Sequence, residues 1–139
     1  MSQKSEKDWL RTADEFYGRT NFPNCLGAVD GKHIRMCKPI DSGSLFFNYK
    51  NFFSTVLMAL VVTDYCFISI GVGAYGASSD CNNFKNSDFC NKLEGNNLNI
   101  PASRLLFNND NGTPTPFVIL GDETFALSQR VLRPYCSRN

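Results

Sequence analysis

The chain has 139 residues, 42% of them hydrophobic and 19% charged, with a formal net charge of +1. This length suits one domain with its own core, and the composition excludes a disordered chain. The near-neutral balance gives no hint of the basic face that a free-standing DNA binder usually carries. Six cysteines are present, none spaced as CxxC, and His33 is the only histidine, which argues against a zinc finger. With no signal peptide legible, the thiols are expected to be reduced and mostly buried in an intracellular protein. The sequon Asn111-Gly112-Thr113 is then expected to be just a turn.

In chain order, residues 5–18 predict a helix, because Trp9, Leu10, Ala13, Phe16 and Tyr17 recur at helical spacing with charged residues between them. Asn21-Phe22-Pro23-Asn24 stops it. A strand follows over 25–38, with Gly27 and Gly31 allowing close approach on its faces, and 39–43 is a loop. Residues 54–63 and 65–72 are rich in apolar and β-branched residues around Thr63-Asp64, which predicts an antiparallel hairpin with a tight turn. The longest apolar run, Phe52 to Val62, is too short to cross a membrane, so no membrane association is expected. A short helix is expected over 80–93, capped by Ser79 or Asp80. A polar loop covers 96–116. A compact strand lies at 117–120, and a final helix is expected over 123–132, ended by Pro134. No internal repeat and no linker interrupts the chain.

Two segments could carry chemistry. In Gly27-Ala28-Val29-Asp30-Gly31-Lys32-His33-Ile34 a carboxylate sits in a predicted strand. Alternation puts Asp30, Lys32 and Ile34 on one face and Val29, Gly31 and His33 on the other. Strands disfavour aspartate, so Asp30 reads either as a functional acid or as the turn residue of an Asp-Gly hairpin. In Val118-Ile119-Leu120-Gly121-Asp122-Glu123 an acid follows a buried strand directly. Asp122 reads either as a helix N-cap or as a second functional acid. If the two strands are sheet neighbours, the two carboxylates can meet and share a hard cation, for which Mg²⁺ is suited. Lys32 is a candidate phosphate contact beside Asp30, with a merely solvated lysine as the alternative. His33 reads as structural. Asp80 reads as a helix cap, or as a neighbour of the metal site. Arg130 and Arg133 suit the C-terminal dipole of the last predicted helix.

Gly71-Val72-Gly73-Ala74-Tyr75-Gly76 matches GxGxxG between a strand and a helix, the setting of a dinucleotide fold. Its strand pairs more naturally in a hairpin than in a parallel βαβ unit, and no acid-ended strand follows about 20 residues on. The glycines are expected to form the turn leaving the third strand.

Beyond these spacings, the segment Phe22-Pro23-Asn24-Cys25-Leu26 through Asp30 to Ile34 resembles the block around the first acid of Harbinger (PIF) transposase-derived nucleases. Asn48-Tyr49-Lys50, the hairpin, the glycine segment with Ser79-Asp80, the run Val118 to Leu127, and Leu132-Arg133-Pro134-Tyr135 follow in that family's order, so the similarity runs from about Trp9 to Tyr135. The resemblance implies an α/β, mixed-sheet, RNase H-like DDE endonuclease fold, occupying 1–139 as a single partial domain. It implies that Asp30 and Asp122 are the first and second catalytic, metal-holding acids. The third acid would stand on a later helix that these 139 residues do not include, and Glu123 does not match its position. The implied chemistry is phosphodiester hydrolysis in DNA with two divalent cations, Mg²⁺ or Mn²⁺, about 3.5–4 Å apart. The resemblance also implies DNA binding by an N-terminal helical part or by a separate partner protein, and a nuclear, secondarily cytoplasmic, location. A descendant that kept the fold as a binding or scaffold protein and lost cleavage is the alternative.

Overall fold

The computed structural model describes residues 3–107 and 109–135. The first helix, α1 (Glu6–Thr20), begins at a capping box. The Ser5 hydroxyl accepts from the Asp8 amide while the Asp8 carboxylate accepts from the Ser5 amide, so two otherwise orphan donors are satisfied. It ends at Asn21 in a left-handed conformation, φ 59°, as the stop signal in the sequence predicts.

Three strands follow, β1 (Cys25–Arg35), β2 (Ser54–Val61) and β3 (Phe67–Tyr75), then two short helices, α2 (Asp80–Lys85) and α3 (Asp88–Glu94). Two more strands, β4 (Val118–Leu120) and β5 (Val131–Leu132), complete a five-stranded sheet of order β3-β2-β1-β4-β5. β1, β2 and β3 pair antiparallel; β4 pairs parallel with β1 and with β5.

Four expectations about the elements are corrected. β1 ends at Arg35 rather than Lys38. The single helix expected over 80–93 is two, because Ser87 breaks the run and caps α3 by accepting from the Cys90 amide. β3 runs on to Tyr75, so Gly71 to Tyr75 is edge strand and not a turn. The helix expected over 123–132 does not form. Residues 123–130 are turns and bends that return the chain to β5, where Ile119 and Gly121 donate to the Arg130 and Leu132 carbonyls. Arg130 and Arg133 therefore sit at no helix end; they reach Asn96 Oδ1 and the carbonyls of Glu123 and Phe125.

The core lies on one face of the sheet. Trp9 and Ala13 of α1, Phe84 of α2, and Phe89 and Leu93 of α3 join Val29, Met58, Leu60 and Ile119 in one buried cluster. Trp9 Nε1 donates to the Leu98 carbonyl at 2.6 Å, tying α1 to the long connection after α3. Asn24 and Asp14 hold Arg104 of the same connection, so it is anchored although largely irregular. The opposite face carries Ala28, Asp30, Lys32 and Ile34, all exposed, opposite Val61, Ala59, Leu57 and Thr55 of β2. Alternation along β1 thus follows the predicted division of faces. The five described cysteines are free, and only Cys25 and Cys90 are buried, which corrects the expectation of mostly buried thiols. Cys136 lies outside the described residues.

Candidate active site

β1 and β4 are parallel neighbours, with Ala28 opposite Leu120. Asp30 lies two residues past Ala28 and Asp122 two residues past Leu120, so the register brings the two acids to the same level of the sheet. Both are exposed. Each carboxylate is oriented through one oxygen. Asp30 Oδ1 accepts from the Gly31 amide at 2.8 Å, and Asp122 Oδ1 accepts from the Thr124 amide at 2.8 Å and from the Thr124 hydroxyl. Asp122 therefore caps a turn onto Thr124 rather than a helix.

A further acid, Asp80, packs against β1 from the Gly31 side. Ser79 is the N-cap of α2, accepting from the Asn82 amide, which frees the Asp80 side chain from capping. Its carboxyl lies over Gly31: a Cβ at Gly31 would fall 2.6 Å from Asp80 Oδ1. A side chain at Gly31 would have to displace that carboxyl. Asp80 Oδ1 is buried and has no hydrogen-bond partner among the described residues. Burial raises the affinity of this carboxyl for its proton; nearby His33 opposes that rise, and Asp30 and Asp122 add to it. Sequence reading allowed Asp80 beside the site only as the lesser alternative. The signal available was glycine next to the first acid, a gap that some side chain must fill.

His33 lies on the Gly31 face of β1. Its Nδ1 is 2.8 Å from Ser54 Oγ, and Ser54 Oγ also accepts from Asn48 Nδ2 at 2.8 Å. Ser54 and Asn48 are buried, so the pair fixes the ring and the connection before β2. Gly76 closes over this knot, because a Cβ there would fall 2.5 Å from Ser54 Oγ. The last glycine of the GxGxxG run therefore has a packing role. Lys32 is exposed on the Asp30 face, two residues along β1.

The donor set is hard carboxylate oxygen, the kind that Mg²⁺ and Mn²⁺ select. Among the described residues, no three of His, Cys, Asp and Glu form a group that could hold a metal ion. Two carboxylates and water nonetheless fit Mg²⁺, which commonly takes only one or two protein carboxylates. The unpartnered Asp80 oxygen adds an unsatisfied negative site beside them.

A five-stranded mixed sheet of order β3-β2-β1-β4-β5, with one acid in β1 and another just past its parallel neighbour β4, fits the RNase H-like class of nucleases. The profile of the DDE superfamily endonucleases matches residues 29–139, and the chain belongs to that family, as the resemblance to Harbinger transposase-derived nucleases implied. It is similar to "Protein ALP1-like" of Arabidopsis thaliana, 31% identical over 141 residues that cover 97% of this chain and 32% of that protein. The chain thus spans about a third of the length of this relative. No solved structure matches the chain.

Proposed function

We propose that this domain serves a metal-dependent DNA endonuclease, with Asp30 and Asp122 as its first two metal-holding acids. The observation that carries the reading is the register of β1 on β4, which levels these two acids in one sheet. A divalent cation bound there would supply an activated water or 3′ hydroxyl and charge to offset the leaving oxygen. The protein's own part is positional. The Gly31 amide and Thr124 fix one oxygen of each acid and leave the other free to ligate. Lys32, exposed two residues along β1 on the Asp30 face, would meet a phosphate of bound DNA. No residue of this sequence matches the family's third acid, and the chain spans about a third of the length of the relative it resembles. Location in the nucleus, and a separate protein that delivers the domain to its DNA target, belong to the same proposal.

A second reading, a binding or scaffold protein that no longer cleaves, is favoured by one observation: no three potential ligands group together among the described residues. Titration with Mn²⁺, followed by the loss of the free-ion electron paramagnetic resonance signal, separates the two. The nuclease reading expects saturable binding that Asp30→Asn or Asp122→Asn weakens by roughly tenfold or more, the scale on which supporting residues act at metal sites. Binding that ignores both substitutions sinks it.

A further inference from the structure

The near-neutral charge of the chain conceals a basic, aromatic surface that begins two residues from Asp30. Residues 32–53 hold four cations, Lys32, Arg35, Lys38 and Lys50, and a single acid, Asp41, a local net charge of +3 where the whole chain has +1. All four cations are exposed. The three salt bridges among the described residues involve other cations, Arg11, Arg19 and Arg104. Three of the four lie against aromatic rings. The Arg35 guanidinium lies 4.2 Å from the centre of the Phe52 ring, Lys50 5.6 Å from that of Tyr49, and Lys38 5.7 Å from that of Phe53. Tyr49 is 78% exposed, and its ring stands edge-on to His33 at 5.9 Å. His33 stands two residues along β1 from Gly31, over which the Asp80 carboxyl lies, so the surface adjoins the Asp80 side of the site.

We propose that this surface binds an unpaired strand of DNA and leads it to Asp30 and Asp122; the inference deepens the nuclease reading and rests on it for the identity of the nucleic acid. Cations without carboxylate partners suit phosphates, whose neutralisation supplies most of the affinity of such contacts. With Tyr49 78% exposed, most of its ring stands open to solvent beside Lys50, and only an unpaired base can lay its own face on it. In a duplex the faces of the bases are already stacked on one another. Rings interleaved with cations form the pattern that single-strand binders use, stacking bases while tracking the backbone.

The test needs no metal, so it is separable from the nuclease reading. Fluorescence anisotropy of a labelled oligothymidine of about 16 nucleotides, and of a duplex of the same length, is followed in EDTA over a range of salt. The proposal expects the single strand to bind more tightly. Lys50→Ala and Arg35→Ala should each lower the slope of log affinity against log salt by about 0.7, while Lys7→Ala, on exposed α1, leaves it unchanged. Tyr49→Ala should weaken the single strand about tenfold and spare the duplex, whereas Tyr49→Trp keeps the affinity and its fluorescence is quenched by the bound strand. The Asp30→Asn, Asp122→Asn double variant should bind at least as well as the native chain, which shows that this surface works whether or not the acids hold a metal. Circular dichroism establishes that each variant is folded. No binding by the native chain, preference for the duplex, or indifference to Tyr49→Ala overturns the proposal. So does a loss with Lys7→Ala equal to that with Lys50→Ala.

Discussion

Asp80 and Gly31 form one unit. The half-buried carboxyl occupies the space a side chain at Gly31 would take, with its Oδ1 buried and unpartnered among the described residues. Such an oxygen costs stability, on the order of 1 kcal/mol or more, and its retention is what ties Asp80 to the site instead of to the cap. We expect Asp80→Asn to raise the midpoint of urea unfolding at neutral pH. The sign of the pH dependence follows from the direction of the shift. Burial raises the folded-state affinity for the proton, so the protonated carboxyl favours the fold; that contribution is full below the ordinary value of 3.8 and fades as pH rises through the higher folded value. The advantage of Asp80→Asn should therefore shrink in acid, and an advantage that grows on acidification would show that burial is not what governs this group. Gly31→Ala should cost about 1–3 kcal/mol by overpacking. In an Asp80→Ala background the same change should cost much less, because the atom it strikes is gone; equal costs in both backgrounds would mean the clash is with something else. The cysteines differ in the same local way. Burial pushes the Cys25 thiol up to about 11, so at neutral pH it should resist iodoacetamide while exposed Cys37 and Cys66 react; mass spectrometry of the labelled peptides checks the order.

At the scale of elements, what was legible in the sequence is what local pattern controls. The 3.6-residue spacing of Trp9, Ala13 and Phe16 gave α1, the alternation through Asp30 gave the two faces of β1, and the apolar runs around Thr63-Asp64 gave the β2–β3 hairpin. Local pattern failed where a partner elsewhere decides. Phe125, Leu127, Val131 and Leu132 can be spaced on a helix, yet Val131 and Leu132 pair with β4 and Leu127 is exposed. The backbone donors of β4 needed acceptors, and β5 supplies them. Likewise Ser87 inside an apparent helix is a better cap than an interior residue. The level of Asp30 with Asp122 could be stated only conditionally, since nothing local says that β1 and β4 are neighbours. The segment after Asp122 therefore yields a test. Phe125 is fully buried, its ring set against Gly121 and 5.7 Å from that of Phe84. Phe125→Ala should destabilise the domain by about 3–5 kcal/mol, and Leu127→Ala by no more than about 0.5 kcal/mol. Comparable losses in urea titrations would restore the helix that the spacing suggested.

At the scale of the molecule, the sheet has one face packed and one bare among the described residues. The helices cover the face of Val29, Met58 and Leu60, whereas the Asp30 face presents Ala28, Ile34 and, on β3, Val72 at 68% exposure. On the proposed reading, a ligand at Asp30 would sit on the open side, where water competes with it and a substrate strand would be held from one side only. Cleavage by a two-metal route demands more than binding: two cations fixed in place and the attacking and leaving oxygens held in line. Two levelled acids meet the first demand in part, and the basic strip beyond Lys32 holds a strand without clamping it. We therefore expect the 139-residue chain to bind Mn²⁺ weakly and to leave supercoiled plasmid intact in the presence of Mn²⁺. The assay sets the native chain beside the Asp30→Asn, Asp122→Asn double variant over several hours, with conversion to the open circular form read on a gel. If the native chain nicks and the double variant does not, the two acids suffice with what surrounds them, and Asp80 becomes the first residue to replace, since it is the remaining carboxylate that bears on both. If both nick alike, the activity does not belong to this site.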